Sequence, residues 1–151
     1  MSSRFEDKHC LVTGAAGGIG SRVAKQLLEE GANLTLVDLD LRALEASAEV
    51  VCSENPSYFS RVFLKSADVS DVSQVSDYVE AATARYGLID CFLNNAAIEG
   101  PVAPIEDHEV SDFDRVIAVN VRGVWLGMKF TIPHFNPKGG SVVITSSVAG
   151  T

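Results

Sequence analysis

The sequence has no long apolar run and no apolar segment near its amino terminus. Residues 1–8 are polar and carry charges of both signs, unlike the start of a secretory signal peptide. A helix needs about 20 consecutive apolar residues to cross a bilayer, and no stretch of this chain provides them. We therefore predict a cytoplasmic protein that does not have a membrane as its partner.

The chain is also poor in basic residues. Its 12 Lys and Arg are outnumbered by 20 Asp and Glu, and the formal net charge is −8. Because such a surface repels phosphates, and because no run of Lys or Arg interrupts it, we expect no nucleic-acid partner. The three cysteines, Cys10, Cys52 and Cys91, match no metal-binding spacing. They are expected to be reduced, buried thiols, and no metal site is predicted.

Apolar, strand-like runs alternate along the chain with amphipathic, helix-like segments. Strands are predicted near residues 8–13, 33–37, 60–66, 89–94 and 140–146, and helices near 18–30, 40–53, 71–86 and 110–131. The strand-like runs are apolar on both faces, as in parallel sheets that helices cover on both sides. The pattern predicts an α/β fold with a doubly wound parallel sheet in a single domain, residues 1–151.

The helical periodicity predicts which residues face the core. In the first helix the predicted apolar face holds Ile19, Val23 and Leu27. In the third helix, which is expected to begin after Ser70 or Asp71, the predicted stripe is Val72, Val75, Val79, Ala82 and Tyr86. The three histidines are scattered, and each is predicted to lie at the surface or in a loop.

The turn after the first predicted strand is rich in glycine. Its sequence, TGAAGGIG, leads directly into the first helix. Gly14 suits a tight turn, Gly17 or Gly18 lets a pyrophosphate approach the backbone, and Gly20 allows close packing of the helix. Free N–H groups at the helix start, around Ile19, favour an anion. These five residues are predicted to bind a dinucleotide; a glycine-rich turn without a ligand is the alternative.

Asp38 ends the second apolar run, near the spacing of about 20 residues expected for such a site. Its carboxylate can accept hydrogen bonds from both ribose hydroxyls of an adenosine and repels a 2′-phosphate. The nearest cation is Arg42, so NAD is favoured over NADP. Asp38 could instead cap the next helix, a role that Asp40 can also fill. A methyltransferase that binds S-adenosylmethionine would show similar residue types after its first two strands.

The Gly-x-x-x-Gly-x-Gly spacing and four later segments resemble the short-chain dehydrogenase/reductase family. These segments are Asp68-Val69, Asn94-Asn95-Ala96-Ala97, Asn120-Val121-Arg122-Gly123 and Ser146-Ser147-Val148-Ala149-Gly150. The resemblance implies a Rossmann-like fold. It also implies that Asp68 and Val69 contact adenine, and that Asn94 and Asn95 stabilise the central sheet and contact the adenine ribose. Asn95, Ala96 and Ala97 are thereby placed in the cofactor site; an Asx-type turn ending the strand is the alternative for the two asparagines. Ala97 stands where the family often has glycine, and Asp68 could instead cap the 71–86 helix.

The same resemblance implies two catalytic residues. Asn120 would lie at a helix kink that orders a water in a proton relay; its alternative role is an amide bonded to local backbone. Ser147 would hydrogen-bond the carbonyl or hydroxyl oxygen of the substrate; the alternative is a polar residue ending a strand. The implied reaction is hydride transfer between NAD and a small-molecule secondary alcohol or ketone, in a homo-oligomer.

The family's Tyr-x-x-x-Lys pair is absent from these 151 residues. The residues four positions after Tyr58, Tyr78 and Tyr86 are Val62, Ala82 and Asp90. We therefore expect a domain that is incomplete at its carboxyl terminus, truncated after the fifth strand, and inactive by itself. Its last strand would be an exposed sheet edge, and the 110–131 helix would lack an apolar partner. The alternative is a non-catalytic dinucleotide-binding module or pseudoenzyme.

Overall fold

The fold is organised around one parallel sheet. The structure, a computed structural model, describes residues 3–147. Five strands lie in the order β3-β2-β1-β4-β5, and every neighbouring pair is parallel. In chain order they are β1 (His9–Thr13), β2 (Asn33–Asp38), β3 (Val62–Ser66), β4 (Cys91–Asn94) and β5 (Ser141–Ile144). The predicted strands are confirmed. Because the strand order reverses between β1 and β4, a crevice forms at their carboxyl ends.

In the part of the chain that the structure describes, five α-helices connect or follow the strands. They are α1 (Gly18–Glu29), α2 (Leu41–Cys52), α3 (Val72–Tyr86), α4 (Val110–Ile117) and α5 (Val124–Thr131). Between α4 and α5 the chain forms a π-helical segment, Ala118–Gly123. The helix predicted over 110–131 is therefore one helical run with a π-helical insertion. Single 3₁₀ turns occupy Pro56–Arg61, Ile105–Asp107 and Ile132–His134.

Helices cover both faces of the sheet and bury two separate cores. On one face, strand residues such as Val12 and Leu36 pack against α1 and α2. On the other face, Leu11 and Phe92 pack against α3 and α5. Since successive strand residues point to opposite faces, the apolar run of β1 supplies both cores. The predicted doubly wound architecture is confirmed.

The buried face of α1 is shifted by one position along the sequence relative to the predicted face. The buried residues of this helix are Gly20, Ala24 and Leu28. Ile19 is 57% exposed, and Val23 and Leu27 are only half-buried. The reason lies in the turn before the helix: a Cβ on Gly20 would be 2.2 Å from the Gly14 carbonyl oxygen. This close approach turns the small residue at 20 inward and leaves Ile19 on the outer side.

Aspartate side chains cap the next two helices. The Asp40 carboxylate accepts from Arg42 N–H and Ala43 N–H, so Asp40 and not Asp38 is the cap of α2. Asp71 caps α3 in the same way. The stripe predicted for α3 needs a correction, because Val72 is 43% exposed whereas Tyr78 is fully buried.

One face of the α4–α5 run is apolar and exposed. Phe113, Ile117, Val121 and Trp125 follow one another at four-residue spacing, and each is at least 40% exposed. Strand β5 pairs with β4 and with no other described strand, and Val143 on it is exposed. Within residues 3–147, this helix face and this sheet edge are uncovered; that they lack a partner stays an expectation. Among residues 3–147 no helix is long and apolar enough to cross a bilayer; the cytoplasmic location stays a prediction.

His9 was expected at the surface and is instead buried in β1. Its Nδ1–H donates to the Gly87 carbonyl at 3.1 Å, and Nε2 accepts from the Thr35 hydroxyl at 3.0 Å. Burial lowers the pKa of this imidazole, so the ring is held neutral. The cysteines are unpaired; Cys10 and Cys52 are buried as predicted, and Cys91 is half-buried.

Candidate functional site

The glycine-rich turn between β1 and α1 forms the floor of a cleft at the carboxyl edge of the sheet. Gly14 has a positive φ of 64°, and a Cβ there would lie 2.9 Å from Ala96 Cα. Only glycine fits this position without strain. Gly17 and Gly18 are exposed, and no heavy atom lies within 4 Å of a Cβ placed on Gly18. The turn therefore presents bare backbone to the cleft.

Helix α1 begins at this turn without a side-chain cap. Its N-cap is Gly17, and the first turn of the helix contains no acidic residue. The first N–H groups of a helix have no partner within the helix. In α2 and α3 an aspartate side chain accepts hydrogen bonds from such N–H groups. In α1 no side chain caps them, and they remain open toward the cleft. Together with the helix dipole, they make this end of α1 a site for an anion.

Asp38, at the end of β2, borders the same turn. Its Oδ2 accepts from Ala16 N–H at 2.9 Å, and its Oδ1 accepts from Leu39 N–H at 2.8 Å. These two bonds fix the carboxylate beside the glycine turn and leave further lone pairs on both oxygens. A pair of neighbouring hydroxyls, such as those of a ribose, can donate to such a carboxylate.

Asp68, which follows β3, also faces the cleft. Its Oδ1 accepts from both the backbone N–H and the hydroxyl of Ser70, at 2.8 and 2.7 Å. The alternative that Asp68 caps the 71–86 helix is wrong, because Asp71 fills that role. With one oxygen held by Ser70, the other is available to a donor in the cleft. Val69 is buried beside it and packs close to Gly123 of the π-helical segment.

The residues after β4 tie the sheet to the glycine turn. Asn95 N–H and Ala96 N–H both donate to the Thr13 hydroxyl oxygen, at 3.0 and 3.2 Å. The Asn95 amide donates to the carbonyls of Thr13 and Gly14. Asn94 points the other way, and its amide donates to the Val124 carbonyl at 2.9 Å. Ala97 is exposed, so its methyl group is accommodated where the resemblance leads one to expect glycine.

Asn120 lies inside the π-helical segment and bonds to a distant loop. Its Oδ1 accepts from Ile98 N–H and its Nδ2 donates to the Ile98 carbonyl, both at 2.9 Å. The alternative role, an amide bonded to local backbone, is therefore wrong, since these bonds reach the loop that follows β4. The irregularity expected at Asn120 is present as the π-helical segment, a feature that often marks functional sites.

Ser146 and Ser147 follow β5 and are exposed. Thr145, just before them, reaches back to β4, where its hydroxyl donates to Asn95 Oδ1 at 2.7 Å. The last three residues of the predicted Ser146–Gly150 segment lie outside the described residues. The structure thus brings Ser147 to the carboxyl edge of the sheet, two residues after Thr145, which lines the cleft.

These elements enclose a cleft of about 780 Å³, within the usual range for cofactor sites. Ten of the predicted cofactor residues line it: Gly14, Gly17, Gly18, Ile19, Asp38, Asp68, Val69, Asn95, Ala96 and Ala97. Gly20 does not line it; this residue is buried under the turn. Asn120 and Ser147 do not line it either. The loop after β4 was expected from the sequence to line one side of the cleft, and Ile98 and Glu99 do so. The other lining residues outside the predicted cofactor set are Ala16, Leu39, Ala67, Ser70, Arg115, Ala118, Val119 and Thr145.

Three of these residues come from the helical run after the β4 loop, and they were missed for one reason. Ala118 and Val119 come from the π-helical segment, and Arg115 comes from the helical turn before it. Their approach to the cleft depends on how closely the helix packs on the sheet. Close packing is possible because Gly127 has no Cβ: a Cβ placed there would be only 2.9 Å from the Asn94 amide nitrogen. The only available signal was the small residues at 123 and 127.

None of the tyrosines in the described chain offers a proton to the cleft. Tyr58, Tyr78 and Tyr86 are all absent from the lining, as is every lysine. Burial raises the pKa of Tyr78, whose hydroxyl has no hydrogen-bond partner among the described residues. A general acid or base needs a pKa near the working pH and contact with the reacting atoms. Tyr78 meets neither condition.

Comparisons with known proteins agree with this geometry. Levodione reductase of Leifsonia aquatica is 43% identical over 150 residues, which are 99% of this chain and 55% of the relative. Trans-4-hydroxycyclohexanecarboxylate dehydrogenase of Sinomonas cyclohexanicum is 34% identical, covering 99% of this chain and 58% of the relative. The chain thus spans about half the length of the curated relatives it matches.

Solved structures show the same fold. A crystal structure of levodione reductase matches with a TM-score of 0.91 over 97% of this chain and 57% of that chain. The NAD⁺-bound structure of xylitol dehydrogenase is 35% identical and matches with a TM-score of 0.86, over 97% of this chain and 55% of that chain. The family model described as short chain dehydrogenase matches residues 8–151. The chain therefore belongs to the short-chain dehydrogenase family, a family of oxidoreductases.

Proposed function

We propose that this protein is an NAD-dependent oxidoreductase that transfers a hydride between NAD and a secondary alcohol or ketone. Residues 1–151 form its dinucleotide-binding domain. The observation that carries the proposal is the uncapped start of α1 beside the fixed carboxylate of Asp38. The N–H groups of the helix start suit a pyrophosphate, and the carboxylate suits the ribose next to it.

The preference for NAD over NADP rests on charge. Asp38 would accept hydrogen bonds from the two ribose hydroxyls and repel a 2′-phosphate. The cleft contains one basic residue among those described, Arg115, and two further carboxylates, Asp68 and Glu99. Arg115 lies on α4, whereas Asp38 ends β2 on the other side of the glycine turn. A phosphate at the ribose would therefore meet a carboxylate first.

The catalytic proposal concerns Ser147 and Asn120. When bound, NAD supplies or takes up the hydride. The Ser147 hydroxyl hydrogen-bonds the substrate oxygen, and Asn120 holds the loop at Ile98 in place through its two hydrogen bonds. One relative reported above, trans-4-hydroxycyclohexanecarboxylate dehydrogenase, is named for a ring alcohol, which supports a small or alicyclic substrate. We also propose a homo-oligomer, with the exposed face of α4–α5 in the interface.

By itself, the 151-residue chain is proposed to bind NAD without turnover. The described residues around the cleft include no tyrosine or lysine to move a proton. A non-catalytic dinucleotide-binding module is the second candidate, and the same observation favours it. Binding and turnover therefore have to be measured separately.

The binding test compares NAD and NADP by isothermal titration calorimetry. Asp38→Ala should weaken NAD by about 1.5–3 kcal/mol, the value of hydrogen bonds to a charged group. Asp38→Asn keeps an oxygen for Ala16 N–H but loses the charge, so it should relax the discrimination against NADP with less damage to the turn. Asp40→Ala is the matched control: it removes the cap of α2 and should leave the NAD/NADP ratio unchanged. An unaltered ratio in both Asp38 variants would refute the assignment.

The turnover test uses cyclohexanol and cyclohexanone with NAD and NADH, followed by absorbance of the reduced cofactor. No turnover by the 151-residue chain, with measurable NAD binding, is the expected result. Turnover by this chain would show that another residue moves the proton. Failure to bind either dinucleotide would overturn the proposed function altogether.

A further inference from the structure

Three strand ends meet in one hydrogen-bonded cluster beside the glycine turn. The Thr145 hydroxyl, after β5, donates to Asn95 Oδ1 at 2.7 Å. The Asn95 Nδ2, after β4, donates to the carbonyls of Thr13 and Gly14 at 3.2 and 3.3 Å. The cluster therefore runs from the end of β5 through one amide group to the turn after β1.

The orientation of the Asn95 amide depends on both of its ends. Its NH₂ group faces two carbonyls, which can only accept, so the oxygen must face a donor. Thr145 supplies that donor. If the hydroxyl is removed, the amide oxygen of Asn95 loses this partner at an exposed position, and the amide is free to turn toward water.

The Gly14 turn rests directly on this amide. A Cβ on Gly14 would lie 2.9 Å from Asn95 Nδ2, so the backbone and the amide are already in close contact. Any rotation of the amide would remove a donor from the Gly14 carbonyl and free space under the turn. The position of the turn sets where its N–H groups meet an anion.

We propose that Thr145 is a positioning residue for the pyrophosphate-binding turn and acts through Asn95. This inference rests on the proposed dinucleotide function. It assigns to Thr145 an effect on the phosphate end of the ligand, because the Gly14 turn holds the phosphates. The adenine end, beside Asp68 and Val69, is not part of the cluster.

The test uses the 151-residue chain with ADP, NAD and adenine as probes in equilibrium binding. Thr145→Val keeps the shape of the side chain and removes the hydroxyl. It should weaken ADP and NAD about three- to tenfold, the range for one hydrogen bond, and leave the affinity for adenine unchanged. Thr145→Ser should restore both affinities. Thr83→Val removes a hydroxyl bonded only within α3 and is the matched control. Thr145→Ala replaces the valine variant if that variant does not fold.

A double-mutant cycle tests the route through Asn95. In an Asn95→Ala background, Thr145→Val should cause no further loss of ADP affinity. Additive losses would overturn the inference, as would equal losses for ADP and adenine or unchanged ADP affinity in Thr145→Val. If the unmutated chain binds neither ADP nor NAD, the proposed function itself fails. If the unmutated chain binds ADP and NAD and Thr145→Val leaves both affinities unchanged, only the positioning role of Thr145 is refuted.

Discussion

The same substitution should have opposite effects at two glycines of α1 that lie two residues apart. A Cβ on Gly20 would be 2.2 Å from the Gly14 carbonyl oxygen and 2.8 Å from Ala15 Cα. Both of these atoms are backbone and cannot move without shifting the turn. A Cβ on Gly18 would have nothing within 4 Å. Both glycines lie in helix with ordinary negative φ, so available space alone distinguishes them.

The magnitudes follow from these contacts. Overpacking a tight site costs about 1–3 kcal/mol, and a clash with backbone at 2.2 Å belongs at the upper end. Replacing glycine by alanine in a helix offsets this by about 0.5–1 kcal/mol. Gly20→Ala should therefore lower the free energy of unfolding by about 2–2.5 kcal/mol. Gly18→Ala lacks the clash and should be neutral or slightly stabilising.

Urea denaturation in dilute solution, followed by circular dichroism, measures both free energies of unfolding. NAD binding to the same variants gives the second readout. Gly18→Ala should bind NAD more weakly although it is fully stable, because its methyl group occupies the open side of the turn. Equal stabilities of the two variants would refute the packing argument. Normal NAD binding by Gly18→Ala would refute the placement of the pyrophosphate.

Three further predictions concern other parts of the chain. Burial lowers the pKa of His9 below its value of about 6.5 in the unfolded chain. The stability that the neutral His9 ring contributes is therefore complete above about pH 6.5 and is lost as the pH falls through the lowered pKa. The free energy of unfolding, measured above and below about pH 6.5, should change less with pH in His9→Gln than in the unmutated chain. Asn120→Leu removes both hydrogen bonds to Ile98 and should lower the free energy of unfolding by about 1–3 kcal/mol. Hydrogen exchange of the Ile98 amide should become faster, and an unchanged exchange rate would contradict this prediction. The exposed apolar face of α4–α5 should make the 151-residue chain associate, and Trp125→Gln should reduce the association; a clean monomer at high concentration in light scattering would rule it out.

Local periodicity was enough to predict most of the architecture. The strands and helices followed from alternating apolar runs, and the turn followed from its glycines. Asp38 could be placed because the end of β2 and the end of β1 must lie at the same edge of a parallel sheet. Each of these inferences needs only neighbouring residues and the rule that parallel strands share an edge.

Features that depend on exact packing were not predictable in this way. The rotation of α1 follows from the contact of Gly20 with the Gly14 carbonyl, and a helical wheel cannot show such a contact. His9 looked like a surface residue because its partners, Gly87 and Thr35, belong to other elements. The bond between Thr145 and Asn95 joins residues 50 positions apart in sequence and depends on the pairing of β4 with β5.

The charge of the cleft explains why its backbone has to be so well fixed. Among residues 3–147 the lining carries three carboxylates, Asp38, Asp68 and Glu99, and one cation, Arg115. An anionic pyrophosphate placed there cannot rely on side-chain charge, so its binding depends on the backbone N–H groups and the dipole of α1. Such donors act only at hydrogen-bond distance, and a turn shifted by a fraction of an ångström would lose them. The close contact at Gly20, the carboxylate of Asp38 on Ala16 and the amide of Asn95 on Gly14 each hold the same turn from a different side.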